Sequence, residues 1–486
     1  MASWAYRSAT ELLAAMNRGE LTSLELLDLL LARIERWNGE LNAVVTLAAE
    51  EARELAAQAD AARARGESWG PLHGLPMTVK ECIEVAGQPT TSGAPELSGH
   101  VPTQDADTVR RLKDAGAIIF GGTNLPLYAG DFQSYNDVYG TTNNPWNTER
   151  GPGGSSGGSA ASLAAGFTPL ELGSDIGGSI RNPAHFCGVY GHKPSHGIVS
   201  GRGHVPGPPG QRSRADLAVL GPLARTPNDL ALAMDVLVGP VQEDATAWRL
   251  ELPAPRHRRL EDFRVGLLLD LPGRPVSSAV RDGIRAAADA ISAAGTTVDE
   301  DALPEIDFEK SHELYTRLLF GVMGTGFPPA VIKDMEAAAA NLAPDDNSSE
   351  ALMIRGSVGP HRAWLSDNER RERLRKCWAE YFETCDLLLC PISPTTAFPH
   401  DHGPVPTRML QVDDELIPYM SQVFWAGIAT VTYLPATVVP VGQAEDGLPV
   451  GMQLIGPYLE DRTPIEFARL AEPVIGGFAA PPGYEG

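Results

Sequence analysis

The sequence predicts an α/β protein of one large domain, with helices covering a central β-sheet. Three observations carry that prediction. From about residue 70 onward, short apolar strands alternate with amphipathic helices, the rhythm of βαβ units. No stretch is polar enough to separate two independent units, and no repeat of solenoid length occurs. The 486 residues are 43% hydrophobic and 21% charged, an ordinary globular composition with material for a large core.

Residues 1–65 read as packing helices. Ser8 with Glu11, and Thr22 with Glu25, have the spacing of capping boxes, in which each side chain satisfies an orphan backbone donor. Leu24, Leu27, Leu31 and Ile34 recur at helical spacing, and Asn38-Gly39 is expected to stop that helix. An alanine-rich helix follows from Glu50 to Arg65. In the region 70–230, Met77–Val79 and Ile118–Phe120 read as strands, with a helix over Asp107–Ala115 between them and a third strand at Leu170–Leu172. Val265–Leu269 is a buried strand leading through Pro272-Gly273 into a helix with Val280, Ile284 and Ile291 on one face, ended by Gly295. A helical insertion spans about 300–382, interrupted by Gly321, Gly324, Gly326 and Pro328-Pro329, with a polar surface loop at Asp345–Ser348. Strands return in 385–486, at Leu387–Leu389, Thr437–Val439 and Met452–Leu454.

Charge and cysteine usage narrow the function classes. With 62 acidic and 39 basic residues the net charge is −23, a field that repels phosphate backbones and anionic lipid, so neither nucleic acid nor a membrane is an expected partner. No apolar run reaches the ~18 residues that span a bilayer. Met1–Arg7 lacks the basic start and apolar stretch of a signal peptide, so the expected location is the cytoplasm. The five cysteines (Cys82, Cys187, Cys377, Cys385, Cys390) are dispersed without a C-x-x-C pair, which argues against a disulfide framework or a zinc site. His400-Asp401-His402 lies among Pro399, Gly403 and Pro404 and reads as a solvated loop. No metal and no cofactor are expected.

Two glycine–serine segments carry the candidate chemistry: Gly151–Ser159 and Gly173–Arg181. A flexible linker is disfavoured because each leads into regular structure, and a phosphate loop because no lysine precedes a Ser or Thr there. Gly153-Gly154-Ser155-Ser156-Gly157 also satisfies G-x-S-x-G, which would make Ser155 the nucleophile of an α/β-hydrolase-type esterase. That elbow needs a buried strand before it, whereas Asn143–Arg150 is turn-rich. A different base is available in Lys80, at the end of the strand-like Met77–Val79. An enclosed ammonium loses charge more readily, and a neutral amine can act as general base to a serine.

Together these blocks resemble the amidase signature family. Lys80, Gly153–Gly158 and Asp175–Arg181 stand in that family's order, with 75 residues from Lys80 to Ser155 and 24 from Ser155 to Ser179. Gly74-Leu75-Pro76, Gly122-Thr123-Asn124, Tyr139–Trp146, Gly188–Ser195, Leu434-Pro435-Ala436 and Gly447–Gly456 extend the likeness over most of the chain. The resemblance implies a single domain around a mostly parallel or mixed sheet. It implies Ser179 as nucleophile, Ser155 as a bridging serine after a cis peptide, Lys80 as base, and the N–H groups of Ile176, Gly177, Gly178 and Ser179 as an oxyanion hole. Asp175 and Arg181 read as clamps. The implied activity is hydrolysis of a small amide, carbamate or ester by a monomer or homodimer, or glutamine-dependent amidation of tRNA by the amidotransferase subunit that shares the signature. The loop Gly201–Arg212 and the helical insertion are where the substrate cleft is expected to vary. Tyr128, Gln133, Phe320, Met323, Phe424 and Trp425 are the candidate pocket residues.

Overall fold

Among the described residues, eleven strands form one mixed sheet that organises the core. In chain order they are β1 (Val44–Leu47), β2 (Pro76–Lys80), β3 (Ile118–Thr123), β4 (Leu170–Asp175), β5 (Tyr190–Lys193), β6 (Val219–Ala224), β7 (Arg264–Leu267), β8 (Thr297–Asp299), β9 (Leu387–Cys390), β10 (Ala436–Gln443) and β11 (Pro449–Ile455). Their order across the sheet is β1-β3-β2-β4-β6-β5-β10-β11-β9-β7-β8. The computed structural model describes residues 4–206 and 209–485. Met1–Ser3 of the N-terminal reading, and Gly207 and Pro208 of the loop expected to vary, lie outside the described residues.

Among the described residues, parallel pairing is confined to two places. β2 lies parallel between β3 and β4, and β7 between β8 and β9. The other six ladders are antiparallel, so of the two expected forms the sheet takes the mixed one. The reason is visible at β10 and β11: a short turn around Gly447 joins them, and a connection that short permits only antiparallel pairing. β2 and β4 are buried along their whole length, as strands covered on both faces must be. The wholly buried helix Gly157–Ala164 packs against both.

Local departures from the sequence reading have physical causes. Both capping boxes form, at Ser8 and Thr22. The second helix, however, runs Ser23–Leu41, through Asn38-Gly39, and ends where Asn42 takes the left-handed conformation at φ 49°. An exposed glycine costs a helix interior only ~1 kcal/mol, too little to end one whose apolar face is buried. Likewise Gly321 stays inside the helix Phe308–Met323, and the break falls at Gly324–Gly326 before Pro329 opens the next helix. Among the described residues no helix is long and apolar enough to cross a membrane.

The N-terminal helix is fastened to the core by one buried carboxylate. Asp229 accepts from the N–H of Ala9 at 2.9 Å, and from the N–H of Thr10 at 2.8 Å and its hydroxyl at 3.0 Å. These are first-turn donors with no partner inside their own helix. Asp229→Ala is therefore expected to lower unfolding free energy by roughly 2–3 kcal/mol in a denaturant titration, because a buried and a half-buried N–H group lose a carboxylate acceptor.

Candidate active site

The parallel register of β2 and β4 sets the site. Thr78 lies opposite Glu171 and Val79 opposite Leu172, so the carboxyl ends of the two strands emerge side by side. Crevices at such strand ends are where open α/β sheets bind ligands. Lys80 is the last residue of β2, and its side chain is fully enclosed at 0% exposure. Its Nζ donates to Ser155 Oγ at 2.5 Å and to Ser174 Oγ at 3.0 Å. Burial disfavours the ammonium and brings the lysine pKa down to about 8, against the opposing pull of Cys82, Asp175 and Glu171.

Ser155 is reached through a tight glycine run. Gly153 has φ 83°, and the Gly154–Ser155 peptide is cis. Gly154 lies against the backbone of Asp131–Gln133, where an added Cβ would come within 2.7 Å of the Gln133 nitrogen. The Gly154 N–H donates to Asn182 Oδ1 at 3.3 Å, and the Ser156 N–H to the Ser179 carbonyl at 3.0 Å. These two bonds fasten the first glycine–serine segment to the second and to the helix that follows it. They bring the stretch bearing Ser155, itself 0% exposed, against that bearing Ser179, which is 8% exposed.

The second segment is folded around a carboxylate. Asp175, at the end of β4, accepts from the N–H of Gly178 at 2.9 Å and of Ile180 at 3.0 Å. It also accepts from Arg181 Nε at 3.0 Å and Nη2 at 2.8 Å. Burial alone would raise the Asp175 pKa, but the Arg181 charge and its hydrogen bonds outweigh that and hold it at about 2. Arg181 in turn donates to the Ala426 carbonyl at 3.0 Å, Gln453 Oε1 at 2.6 Å and Thr430 Oγ1 at 2.9 Å.

One consequence corrects the sequence reading. Gly178 is expected among the oxyanion donors, yet its N–H is taken by Asp175, whose side chain closes the turn over 175–178. The N–H groups of Ile176, Gly177 and Ser179 have no acceptor among the described residues. The Ile176 carbonyl accepts from the Tyr315 hydroxyl at 2.7 Å. Sequence reasoning missed Tyr315, which lies in the helical insertion with nothing in the local pattern to mark it. It also missed the contact of Ser174 with Lys80, because strict alternation from the Thr78–Glu171 pair puts Ser174 on the other face of β4.

The candidate pocket residues are scattered. Gln133 is buried beside Gly154 and exchanges bonds with the Asp401 main chain at 2.6 and 2.9 Å. Met323 packs against a cluster that includes Phe132, Tyr315 and Val423. Phe424 and Trp425 are core residues instead, 2% and 1% exposed, because the helix Val423–Thr430 is buried on all sides. Phe320 faces Gly356 of a neighbouring helix, and Tyr128 bonds Glu96 at 2.6 Å. Outside the site, His402 of the 400–402 run stacks on Tyr135 at 3.8 Å.

Residues 25–464 match the family model described as Amidase. The chain belongs to the amidase family. A glutamyl-tRNA(Gln) amidotransferase subunit of Anaeromyxobacter dehalogenans (strain 2CP-C) is 34% identical over 483 residues, covering 95% of each chain. A bacterial aryl acylamidase of the amidase signature enzymes superposes with a TM-score of 0.78 at 26% identity, over 96% of both chains. A 6-aminohexanoate cyclic dimer hydrolase solved with its substrate gives 0.77 at 25% identity, over 99% of this chain and 100% of its own. The chain thus shares nearly its whole length with hydrolases and with an amidotransferase subunit.

Beneath the site, the protein holds a second group with a displaced pKa. Glu171 on β4 accepts from the Thr78 hydroxyl, and burial lifts its pKa to about 8. In the unfolded chain a glutamate ionises near pH ~4.3. The folded state therefore binds the extra proton between those values, and the stability it brings is lost as pH rises toward 8. Glu171→Gln should match the parent in stability at pH 5 and exceed it at pH 9, as read by urea unfolding at both pH values. A constant difference at the two pH values would show that Glu171 does not titrate in that window.

Proposed function

We propose that this amidase hydrolyses the C–N bond of a small amide-like substrate through a serine acyl-enzyme, using Ser179 as nucleophile, Ser155 as proton bridge and Lys80 as base. The observation that carries the reading is the 2.5 Å bond from a fully enclosed Lys80 to Ser155, with the lysine pKa near 8. An amine of that pKa is partly neutral at physiological pH and can accept a proton.

Neutral Lys80 takes a proton from Ser155, which takes one from Ser179 as Ser179 Oγ bonds to the substrate carbonyl carbon. The resulting oxyanion is met by the free N–H groups of Ile176, Gly177 and Ser179. Oriented donors of this kind are worth ~3–4 kcal/mol each at the transition state. The proton returns through Ser155 to the leaving nitrogen, the C–N bond breaks, and the amine departs. Water then gives a proton to the same relay, attacks the acyl carbon and frees the acid, restoring the Ser179 hydroxyl. Aryl amides, aliphatic amides, carbamates and esters all present the carbonyl this chemistry requires. The rival nucleophile elbow fares worse, since Ser155 follows a loop instead of a strand and is wholly enclosed, whereas Ser179 keeps 8% exposure.

A second reading is favoured by one observation, the full-length similarity to an amidotransferase subunit. In that reading the ammonia released from glutamine passes to tRNA-linked glutamate, and partner subunits are required. Cleavage of aryl amides by the isolated chain supports the hydrolase; glutamine turnover that appears only with partners and tRNA supports the amidotransferase.

With Lys80 as base, acylation should climb along one ascending limb with a midpoint near pH 8. At pH 6 it should be about one-hundredth of its plateau, the neutral fraction expected two pH units below the pKa. Lys80→Ala should lower amide turnover ~10²–10⁴-fold, the usual range for a general base. A pH-independent rate between 6 and 9 would remove lysine from the mechanism. A fluorophosphonate should leave its adduct on the Ser179 peptide in mass mapping. Ser179→Ala should take no label and Ser155→Ala should label slowly at the same place; an adduct on Ser155 would promote the elbow reading.

A further inference from the structure

We infer that Tyr315 is a positioning residue for the oxyanion hole: its hydroxyl fixes the Ile176–Gly177 peptide so that the Gly177 N–H points at the reacting carbonyl. The inference rests on the Ser179 reading above. Tyr315 is fully buried on the helix Phe308–Met323, and its hydroxyl donates to the Ile176 carbonyl at 2.7 Å. In a trans peptide the C=O and the following N–H point in opposite directions. Holding the Ile176 oxygen therefore aims the Gly177 N–H the other way, where it has no acceptor among the described residues. A donor placed on the carbonyl also polarises the amide, and such chained bonds strengthen one another by about 10–30%.

The ring is held as firmly as its hydroxyl. Gly427, in the helix Val423–Thr430, forms its bed: a Cβ there would stand 2.7 Å from Cε1 and 3.1 Å from Cγ of the ring. Val423 of the same helix borders the Gly177 Cα from beside Tyr315, each 3.6 Å from where a Cβ would be. Burial also raises the phenol pKa, which keeps the hydroxyl a donor throughout the working pH range. Asp175 governs residues 178–181 of the loop from one side, while Tyr315 governs residue 176 from the other. The helical insertion thus reaches the reacting centre through this hydroxyl.

The test compares Tyr315→Phe and Gly427→Ala with the parent on the aryl amide or ester it cleaves fastest. The first variant deletes only the hydroxyl; the second keeps it and displaces the ring. Losing an oxyanion donor outright costs ~10²–10³-fold, so misaiming one is expected to lower kcat about tenfold. KM should stay within about twofold, since a ground-state carbonyl needs the donor less than the oxyanion does. A trifluoromethyl ketone, whose carbonyl becomes an oxyanion on adding to serine, should lose affinity by the same factor as kcat/KM. The pH midpoint near 8 should not move, because Lys80 is untouched. Tyr315→Phe with parental kcat, or with lowered kcat but undiminished ketone affinity, would overturn the assignment. Ser179→Ala that still turns over or takes label would overturn the nucleophile reading itself, and Tyr315's role with it.

Discussion

The buried pair of Asp175 and Arg181 is the constraint on which the rest of the site depends. Both side chains are wholly enclosed, a costly arrangement unless every charge is met by a partner. Here the charges are met many times over: Asp175 gathers main-chain N–H groups of its own loop, while Arg181 reaches Ala426, Thr430 and Gln453. The loop carrying Ser179 is thereby tied to a helix 245 residues away in the chain and a strand 272 residues away. Its shape follows from ionic bonds in a low-dielectric interior, where misplacing either partner leaves an unmet charge.

That fixed loop gives the lysine its setting. Lys80 and Asp175 end adjacent parallel strands, so enclosing one end of the sheet encloses both. Desolvation then lowers the lysine pKa, and the nearby acids limit how far it falls. Glu171, deeper in the same strand pair, shifts upward by the same burial. Opposite displacements of a base and an acid in one shell are what a dry interior produces, and such settings suit proton transfer near neutral pH.

Several features were legible from residues alone. The capping boxes, the alanine-rich helix and the buried strands around Val79 and Leu172 are local in origin, and they formed where the spacing placed them. Helix ends were less legible at Asn38-Gly39 and Gly321, where burial of a helix face outweighed a glycine's modest propensity cost. Aromatic residues near the site were read poorly. Phe424, Trp425 and Tyr315 are alike in sequence, since all three are large aromatic side chains in helices. Only packing separates a core ring from one whose hydroxyl meets the 175–181 loop.

What the sequence by itself determined is the chemistry on offer: a lysine ending a buried strand, two glycine–serine runs in order, and an acidic surface. Residue type and spacing carry such information because strand ends, tight turns and charge are set within a few residues. Tertiary structure alone decided which groups act on which. It gave the Gly178 N–H to Asp175, gave Lys80 a second partner in Ser174, and brought Tyr315 from the insertion onto Ile176. Hydrogen bonds saturate and point, so their assignment waits until every competing donor and acceptor has been brought to its place in three dimensions.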